Sequence, residues 1–414
     1  MRVSRRLLTS AVGALALFFT LVPAALAVDG GALRASLDRA VSATGAARTG
    51  AMAFDLTTGS TLYERNASTP RIPASVEKLF TTAAALRRFG TDARLTTTVV
   101  GDGEVGTKGG LSGDLYLVGG GDPTLDVDGI RRLAGQVRDA GVRRVSGSVL
   151  GDESHLDSLR GSSRTGGAYD SDMGGVLGAL TVGRGFSNRP GGPALAAARR
   201  FVRALRAAGV KVEGRTGTGT APSDGLPLAE IQSMTMANLV RAINIPSDNF
   251  AAEILLKDLG ATYGSGGTTA AGAAVVRRTM AALGVDRRAV ADGSGLSRAN
   301  RVSAQGIVSL LAAMRRPGRS RALEAALAAA GRTGARRGRR RGTAAAGACR
   351  GKTGTINSVS ALAGLCRTRE GHTIAFAFLM NGVTVWRARA GQDAAASVLA
   401  RYLTAPLGGR LPTP

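Results

Sequence analysis

Three short motifs along the chain carry side chains that could perform acyl transfer. Ser75 is followed three residues later by Lys78, and Ser247 two residues later by Asn249; Lys352 begins the sequence Lys-Thr-Gly-Thr. Residues three apart share one face of a helix, so the first motif would place a hydroxyl beside an amine. A serine hydroxyl needs an adjacent base to act as a nucleophile, and a lysine amine can be that base. Together the motifs predict a serine acyl-transfer site in which lysine replaces histidine.

Each motif also has a purely structural interpretation: Ser75 and Asn249 as helix caps, and Lys352 as a surface charge. Their order, spacing and neighbouring sequence favour the catalytic interpretation. Of the 54 lysines and arginines only five are lysines, and Lys78 and Lys352 are two of these five. Because arginine cannot lose its proton in a protein, a side chain that acts as a base must be lysine. This reason applies to Lys78. It does not apply to Lys352, because an arginine at position 352 could supply the positive charge equally well.

The sequence around the motifs resembles the penicillin-binding protein and serine β-lactamase superfamily. Pro73–Thr82 is similar to the nucleophile segment of the D-alanyl-D-alanine carboxypeptidase/endopeptidase family, the class C low-molecular-mass penicillin-binding proteins of peptidase family S13. Asp292–Arg298 and Gly119–Leu125 are similar to two further signatures of that family. The resemblance runs from about Gly50 to about Asn381 and so covers most of the chain.

The resemblance implies a role for each side chain of the first two motifs. Ser75 would be the nucleophile and Lys78 its base, which requires a largely neutral Lys78 amine. Ser247 would relay a proton to the leaving amine, and Asn249 would hydrogen-bond the substrate amide and steady Lys78. Burial, or a like charge such as that of Lys352, would lower the pKa of Lys78 as this role requires.

The third motif would hold the substrate. Lys352 would supply positive potential for the substrate's terminal carboxylate, and Thr353 and Thr355 would offer it hydroxyl groups. Gly354 has no side chain, which would let the substrate peptide lie against the strand. The backbone N–H groups of Ser75 and Thr355 would form the oxyanion hole, near a helix N-terminus that also favours negative charge.

The resemblance implies an α+β fold, in which a transpeptidase-like or serine β-lactamase-like domain has an antiparallel sheet flanked by helices and carries an inserted β-rich domain. We expect residues 28–94 and 232–414 to form the catalytic domain and residues 95–231 the inserted domain, because short β-like segments with glycine-rich turns begin near Leu95. Family members often carry a further nested domain. The short Gly/Pro-rich joint at 186–193 predicts that this domain is absent here.

Hydrophobic periodicity predicts the elements that place the motifs. A helix is expected from Ser75 until Gly90 ends it, and another follows Pro246 until Gly260 ends it. Further helices are expected near 30–45, 130–140 and 388–403. Strands are expected at 51–56, 60–63, 96–100, 114–118, 144–150, 350–355, 360–366 and 373–380.

Residues 1–27 are typical of a secretory signal peptide, with a basic start, an apolar stretch and small residues at Ala25 and Ala27. An uncleaved membrane anchor is the alternative, which the short apolar stretch disfavours. We therefore expect an exported protein in the cell envelope, outside the cytoplasmic membrane. A net charge of +25 would suit nucleic acid, but export argues against that partner. We expect no nucleic acid and a weak contact with anionic wall polymers.

Histidine and cysteine are too scarce to support a metal site or a histidine-based triad. The two histidines, His155 and His372, are not near a candidate nucleophile in sequence. Cys349 and Cys366 flank the Lys-Thr-Gly motif on neighbouring predicted strands, and export permits a disulfide between them. Two buried free thiols are the alternative. We expect no metal and no cofactor.

The resemblance implies a serine carboxypeptidase that hydrolyses the terminal D-alanyl-D-alanine bond of peptidoglycan stem peptides, and an endopeptidase activity on D-alanyl cross-links. β-Lactam antibiotics would acylate Ser75 as covalent inhibitors, since their strained ring mimics the same amide. A β-lactamase is one alternative, disfavoured because the Glu-x-x-Leu-Asn segment of class A enzymes is missing from the sequence. A non-catalytic wall-binding protein is the other, disfavoured because every motif residue is present.

Overall fold

A computed structural model of the chain describes residues 30–46, 48–185, 191–287, 289–315, 319–334 and 342–402. The signal peptide predicted at 1–27 lies outside these residues, as does most of the predicted joint at 186–193. No helix among the described residues is both long and apolar enough to cross a membrane. The fold is α+β, as the resemblance predicted: three sheets pack against helices.

The elements of the described residues are numbered in chain order. The helices are α1 (Gly30–Ser42), α2 (Lys78–Arg88), α3 (Val127–Asp139), α4 (Gly192–Ala207), α5 (Met236–Asn244), α6 (Asn249–Tyr263), α7 (Thr269–Ala282), α8 (Ala304–Ala313), α9 (Arg319–Ala325) and α10 (Val385–Ala400). The strands are β1 (Arg48–Asp55), β2 (Ser60–Arg65), β3 (Thr96–Gly101), β4 (Gly110–Leu111), β5 (Leu115–Gly119), β6 (Arg144–Val145), β7 (Val149–Asp152), β8 (Lys211–Val212), β9 (Thr216–Thr218), β10 (Leu226–Gln232), β11 (Ala328–Ala329), β12 (Cys349–Ile356), β13 (Val359–Arg367) and β14 (Thr373–Asn381).

The largest sheet is antiparallel, with the strand order β11-β12-β13-β14-β1-β2. β1 lies beside β14, with Ala51 opposite Phe378, so strands from the two ends of the chain complete one sheet. Successive residues of a strand face opposite sides, and Phe376 and Phe378 accordingly pack toward α1 and α10. Ala375 and Ala377 pack on the other side, in the core that includes α2, α5, α6, α7 and α8. These small residues leave room for the helices that carry the first two motifs.

The described residues between 96 and 232 form two smaller sheets and two α-helices. One sheet has the strand order β10-β3-β5-β7-β9, and the other is the parallel set β4-β6-β8. The apolar faces of α3 and α4, including Leu133 and Phe201, pack in their shared core. The single strand expected at 144–150 is wrong: β6 pairs with β4 and β8, whereas β7 pairs with β5 and β9. This part of the chain is therefore as helical as it is β-rich, and its boundaries as a domain remain a prediction.

Helix α6 continues past Gly260, where the sequence predicted its end, and reaches Tyr263. Gly260 lies where α6 and α7 approach each other. A Cβ on Gly260 would come within 2.6 Å of the Gly272 backbone nitrogen, and a Cβ on Gly272 within 1.9 Å of the Leu256 carbonyl oxygen. Both glycines therefore permit close packing of two helices rather than ending one of them.

We expect Gly272→Ala to lower the free energy of unfolding by about 1–3 kcal/mol, because the added methyl group overlaps the Leu256 carbonyl oxygen. Gly135→Ala is the matched control, since Gly135 lies within α3 and its Cβ would meet nothing within 4 Å. That variant should be neutral or more stable by up to about 1 kcal/mol. Urea denaturation followed by circular dichroism measures both, and equal effects would contradict the packing argument.

Candidate active site

Ser75 lies on a tight turn between the largest sheet and the helices that cover it. Ala74–Glu77 form one 3-10 turn and α2 begins only at Lys78, whereas the sequence predicted a helix from Ser75. Ala74 has a left-handed φ of +47°, which an α-helix does not allow. Gly295 packs directly on this residue, since a Cβ there would lie 2.0 Å from the Ala74 carbonyl oxygen. The left-handed φ keeps Ala74 out of the α-helix, and a 3-10 turn that carries Ser75 leads from it into α2.

The missing side chain of Gly354 has a structural consequence that was not predicted, while its role in making room for the substrate stays a prediction. A Cβ on Gly354 would lie 2.5 Å from the Pro73 carbonyl oxygen and 3.0 Å from the Ser75 backbone nitrogen. Its missing side chain therefore makes room for the turn that carries the nucleophile. Lys352 stands two residues earlier on β12, so its side chain leaves the strand on the same face.

The Lys78 side chain is fully buried, and its amine makes three hydrogen bonds. Nζ lies 3.2 Å from Ser75 Oγ, and it donates to Asn249 Oδ1 at 2.6 Å and to the Ser294 carbonyl oxygen at 2.6 Å. Burial lowers the pKa of Lys78 to about 8, although nearby carboxylates, Asp292 foremost, oppose the shift. The neutral amine is therefore accessible near this pH, and it is the form that can accept the Ser75 proton.

The second motif lies at the start of α6. Ser247 has a left-handed φ of +67°. Asp248 caps the helix, because its carboxylate accepts a hydrogen bond of 3.0 Å from a backbone N–H of the first turn. Asn249 is the first helical residue; its Oδ1 faces Lys78, while its Nδ2 donates to the Asp172 carbonyl oxygen at 2.7 Å. The helix cap thus fixes the amide that contacts the base.

Lys352 connects the third motif to the second. Its Nζ donates to Ser247 Oγ at 2.7 Å and to the Thr353 carbonyl oxygen at 2.9 Å. Burial, and then the positive charge of Lys78, hold the pKa of Lys352 well below its usual value. The five residues predicted to be catalytic therefore form two hydrogen-bonded groups, one around each lysine.

The strand β12 leaves one edge open beside these groups. The short strand β11 pairs with only two residues near the start of β12, so in the described part of the chain the rest of β12 is paired with β13 alone. Thr353 is half-buried, and Thr355 is exposed with its Oγ1 accepting a hydrogen bond from Arg389 at 3.2 Å. An extended peptide could lie along this edge. The oxyanion hole formed by the backbone N–H groups of Ser75 and Thr355 remains a prediction.

Asp292–Arg298 form a turn that contacts Lys78 through the Ser294 carbonyl oxygen. Asp292 accepts hydrogen bonds from two backbone N–H groups of the turn, those of Gly295 at 2.8 Å and Ser297 at 2.6 Å. Glu253 of α6 accepts from the Ser294 backbone N–H at 2.8 Å. None of these contacts was predicted from the sequence. The signal that could have found them is an acidic residue four positions after Asn249, within an apolar helical stretch.

Arg184 holds the second motif from the side of residues 95–231. Its guanidinium forms an ion pair with Asp248 and lies 5.6 Å from the centre of the Phe250 ring. Asp172, whose carbonyl oxygen binds Asn249, comes from the same part of the chain. No local pattern relates these distant positions, so neither the contact of Arg184 nor that of Asp172 could be predicted from the sequence.

The cysteines and histidines lie outside the hydrogen-bonded groups around the lysines. Cys349 and Cys366 are opposite each other on β12 and β13 and form a disulfide. His155 lies 2.6 Å from the Asp258 carboxylate, and His372 makes a 2.6 Å contact with a carboxylate at the far end of β1. Among the described residues, no cluster of three or more histidine, cysteine, aspartate or glutamate side chains could hold a metal ion.

A family model identifies the chain. The model of the D-Ala-D-Ala carboxypeptidase 3 (S13) family matches residues 33–175 and 163–402. The chain belongs to this family. It is therefore an enzyme, a serine-type D-Ala-D-Ala carboxypeptidase of the penicillin-binding protein class, and the prediction from the resemblance is confirmed.

Curated relatives agree with this assignment. The chain is 32% identical to a D-alanyl-D-alanine carboxypeptidase of Actinomadura sp. (strain R39), over 87% of this chain and 83% of that protein. It is 33% identical to the carboxypeptidase DacB of Mycolicibacterium smegmatis, over 83% of this chain and 78% of that protein.

Solved structures show the same fold at lower identity. Penicillin-binding protein 4 of Haemophilus influenzae superposes with a TM-score of 0.74 at 20% identity, over 87% of this chain and 97% of that one. Bd3459, a predatory peptidoglycan endopeptidase of Bdellovibrio bacteriovorus, superposes with a TM-score of 0.54 at 17% identity, over 88% of this chain and 96% of that one. At these sequence identities the similarity shows a shared fold only.

We expect kcat/KM on a D-Ala-D-Ala peptide to rise about tenfold per pH unit below about pH 8 and to level off above it, because only the neutral Lys78 amine can accept a proton. The rate of D-alanine release, measured in a series of buffers from mildly acidic to mildly alkaline pH, gives this profile. Lys78→Arg is the control and should be inactive at every pH, since the guanidinium stays protonated. A flat profile, or an active Lys78→Arg variant, would show that Lys78 is not the base.

Arg184→Ala should lower kcat/KM by up to about 10²-fold, because the unpaired Asp248 cap lets Asn249 move relative to Lys78. The unfolding free energy should fall by about 1–2 kcal/mol, since Asp248 is nearly buried while Arg184 is partly exposed to solvent. Steady-state kinetics and thermal unfolding measure the two effects.

Arg131→Ala is the matched control for Arg184→Ala. Arg131 pairs with Asp128 on the surface, where both side chains are exposed, so neither quantity should change measurably. If Arg184→Ala kept wild-type kinetics, the bracing of the second motif by residues 95–231 would be irrelevant to catalysis.

Proposed function

We propose that this enzyme cleaves the terminal D-alanyl-D-alanine bond of peptidoglycan stem peptides through an acyl-serine intermediate. The observation that carries the proposal is the buried Lys78 amine, 3.2 Å from Ser75 Oγ and bonded on its other sides to two carbonyl-type oxygens. A serine next to such an amine is an activated nucleophile. The carboxypeptidase names of the curated relatives support the substrate class.

In the acylation step Lys78 Nζ takes the proton of Ser75 while Oγ attacks the carbonyl carbon of the penultimate D-alanine. The C–N bond to the terminal D-alanine then breaks, and its nitrogen needs a proton to leave as an amine. Ser247, whose hydroxyl is hydrogen-bonded to Lys352, is placed to deliver that proton, and it receives in its place the proton that Lys78 took from Ser75, so Lys78 is neutral again. A water molecule then attacks the ester carbonyl while Lys78 takes one of its protons. The ester C–O bond breaks as that proton passes to Ser75 Oγ, which frees the shortened peptide as its carboxylic acid.

Substrate binding is assigned to the open edge of β12. Lys352 supplies positive potential for the terminal carboxylate when it is protonated, and the bound carboxylate itself favours that form, although burial lowers the pKa of the lysine. The hydroxyl groups of Thr353 and Thr355 are the hydrogen-bond donors to the carboxylate. The N–H groups of Ser75 and Thr355 stabilise the oxyanion of the tetrahedral intermediate. The exposed position of Thr355 supports this assignment, since a substrate can reach it from solvent.

A DD-endopeptidase activity on D-alanyl cross-links is part of the proposal. It breaks the same D-alanyl carbonyl–nitrogen bond, and only the leaving amine differs. The fold shared with Bd3459, a predatory peptidoglycan endopeptidase, is compatible with it. We also propose export by the signal peptide at 1–27, so that the enzyme meets peptidoglycan and anionic wall polymers outside the cytoplasmic membrane.

β-Lactams should acylate Ser75, because attack on the strained lactam carbonyl breaks the ring C–N bond and leaves the whole drug on the serine. We expect incubation with benzylpenicillin to add the mass of one drug molecule to the intact protein, stable for minutes, and nothing to Ser75→Ala. Intact-protein mass spectrometry measures this adduct. The matched control is Ser297→Ala, a serine of the adjacent turn, which should acquire the adduct like the wild type.

The same experiment separates the alternatives. Rapid loss of the drug without a lasting adduct would indicate a β-lactamase, which shares the motifs but deacylates quickly. Neither adduct nor drug loss would indicate a binding protein with an inactive site. Release of D-alanine from a diacetyl-lysyl-D-alanyl-D-alanine peptide by the wild type, and not by Ser75→Ala, would establish the carboxypeptidase reaction itself.

A further inference from the structure

Glu253 is a buried carboxylate next to the base that the proposed mechanism does not use. It lies on α6 with no exposed surface. Its Oε1 accepts hydrogen bonds from the Gly293 backbone N–H at 3.0 Å and the Ser294 backbone N–H at 2.8 Å, and its Oε2 has no hydrogen-bond partner in the described part of the chain. A buried carboxylate without a paired cation is costly. Its position therefore calls for a function.

The peptide that Glu253 holds contributes directly to the surroundings of the base. The Ser294 carbonyl oxygen accepts from Lys78 Nζ at 2.6 Å, as does Asn249 Oδ1 at 2.6 Å. Both oxygens are acceptors only, so each must face an N–H of the amine. A neutral amine has two N–H groups and one lone pair. With both N–H groups engaged, the lone pair points at the remaining neighbour, the Ser75 hydroxyl.

The same helix controls both acceptors. Asn249 and Glu253 are four residues apart on α6 and thus share a face. Asn249 accepts a hydrogen bond from Lys78 itself. Glu253 fixes the Ser294 peptide, whose carbonyl oxygen accepts another hydrogen bond from Lys78. The turn also packs on this helix, since a Cβ on Gly293 would come within 2.7 Å of the Ala252 carbonyl oxygen. A shift of the Ser294 carbonyl would free one N–H of Lys78 and let the lone pair turn away from Ser75.

We propose that Glu253 is a positioning residue for acylation: by holding the Ser294 carbonyl oxygen against Lys78, it directs the lone pair of the base at the Ser75 hydroxyl. The inference depends on the proposed function, because it assumes that Lys78 is the base in an acyl-serine mechanism. It adds that α6 orients Lys78 through two oxygen atoms. One is Asn249 Oδ1, which lies on the helix itself, and the other is the backbone carbonyl oxygen of Ser294, which Glu253 holds in place.

The charge of Glu253 and its hydrogen bonds have separable effects. The ionisable groups around Lys78 come from the nucleophile turn, the start of α6, the neighbouring turn and β12, and they are Glu77, Asp248, Glu253, Asp292 and Lys352. Burial raises the pKa of Glu253 to about 7, so above that pH the loss of its negative charge lowers the pH at which Lys78 becomes neutral. Removing the acceptor oxygen instead releases the Ser294 peptide. Glu253→Gln removes only the charge, whereas Glu253→Ala removes both.

The experiment measures the rate constant of acylation by benzylpenicillin, by stopped flow or quenched mass spectrometry, as a function of pH. We expect Glu253→Ala to lower the high-pH plateau by about 10²-fold with little change in the dissociation constant of the initial complex. Glu253→Gln should keep the plateau within about tenfold, because its amide oxygen still accepts from the turn. In both variants the pH range over which the acylation rate constant rises should move to lower pH, because both lose the negative charge of Glu253.

Two further variants keep the test decisive. Glu253→Asp keeps the charge but withdraws the oxygens by one methylene, so it should lose the plateau rate without moving the rising limb. Asp258→Asn is the matched control on α6, because Asp258 is equally buried but bonds His155 rather than the turn. That variant should lose stability and keep the wild-type plateau.

The outcomes distinguish this inference from the proposed function. A wild type that benzylpenicillin does not acylate would overturn the proposed function. An acylated wild type with a wild-type plateau in both Glu253→Ala and Glu253→Asp would overturn the positioning role alone. Equal losses in Glu253→Gln and Asp258→Asn would also overturn it, since they would indicate a general effect of the helix on folding.

Discussion

The removal of the Lys78 amine from water is the constraint on which the rest of the site depends. An ammonium group in the interior is penalised by desolvation, and this lowers the pKa of Lys78 to about 8. A directly bonded carboxylate would reverse the shift. The structure instead surrounds Nζ with two carbonyl-type oxygens and a hydroxyl, and it places the carboxylates of Glu253 and Asp292 behind the turn that supplies one of these oxygens. Hydrogen bonding is thus satisfied while the pKa of Lys78 stays low enough for its neutral form to be accessible.

This arrangement requires several distant segments to meet with little space between them. The nucleophile turn passes between Gly295 and Gly354, where a Cβ on either glycine would overlap its backbone. Residues 95–231 add Arg184 and the Asp172 carbonyl oxygen to the second motif. Residues 95–231 therefore brace the end of α6 that carries Asn249.

The sequence was sufficient to predict the candidate site residues and somewhat more than half of the described elements, whereas α4, α7 and α8 were not predicted. The expected strands at 350–355, 360–366 and 373–380 correspond to β12, β13 and β14, and the helices near 30–45 and 388–403 correspond to α1 and α10. These elements have strong apolar periodicity, which local sequence expresses directly. The errors fall where tertiary packing overrides local preference: the 3-10 turn at Ser75, the strand broken within 144–150, and the helix that passes Gly260.

By itself the sequence determined which residue types could react, in which order they occur, and to which family the chain belongs, because a nucleophile, a base and a cation are recognisable from their chemistry and spacing. Only the tertiary structure decided how these groups are oriented. It showed that Gly354 makes room for the nucleophile turn, and that Glu253 and the Ser294 carbonyl oxygen belong to the surroundings of Lys78. The physical reason is that a lone-pair direction, a close backbone approach and a buried charge depend on residues far apart in the chain, which no local pattern records.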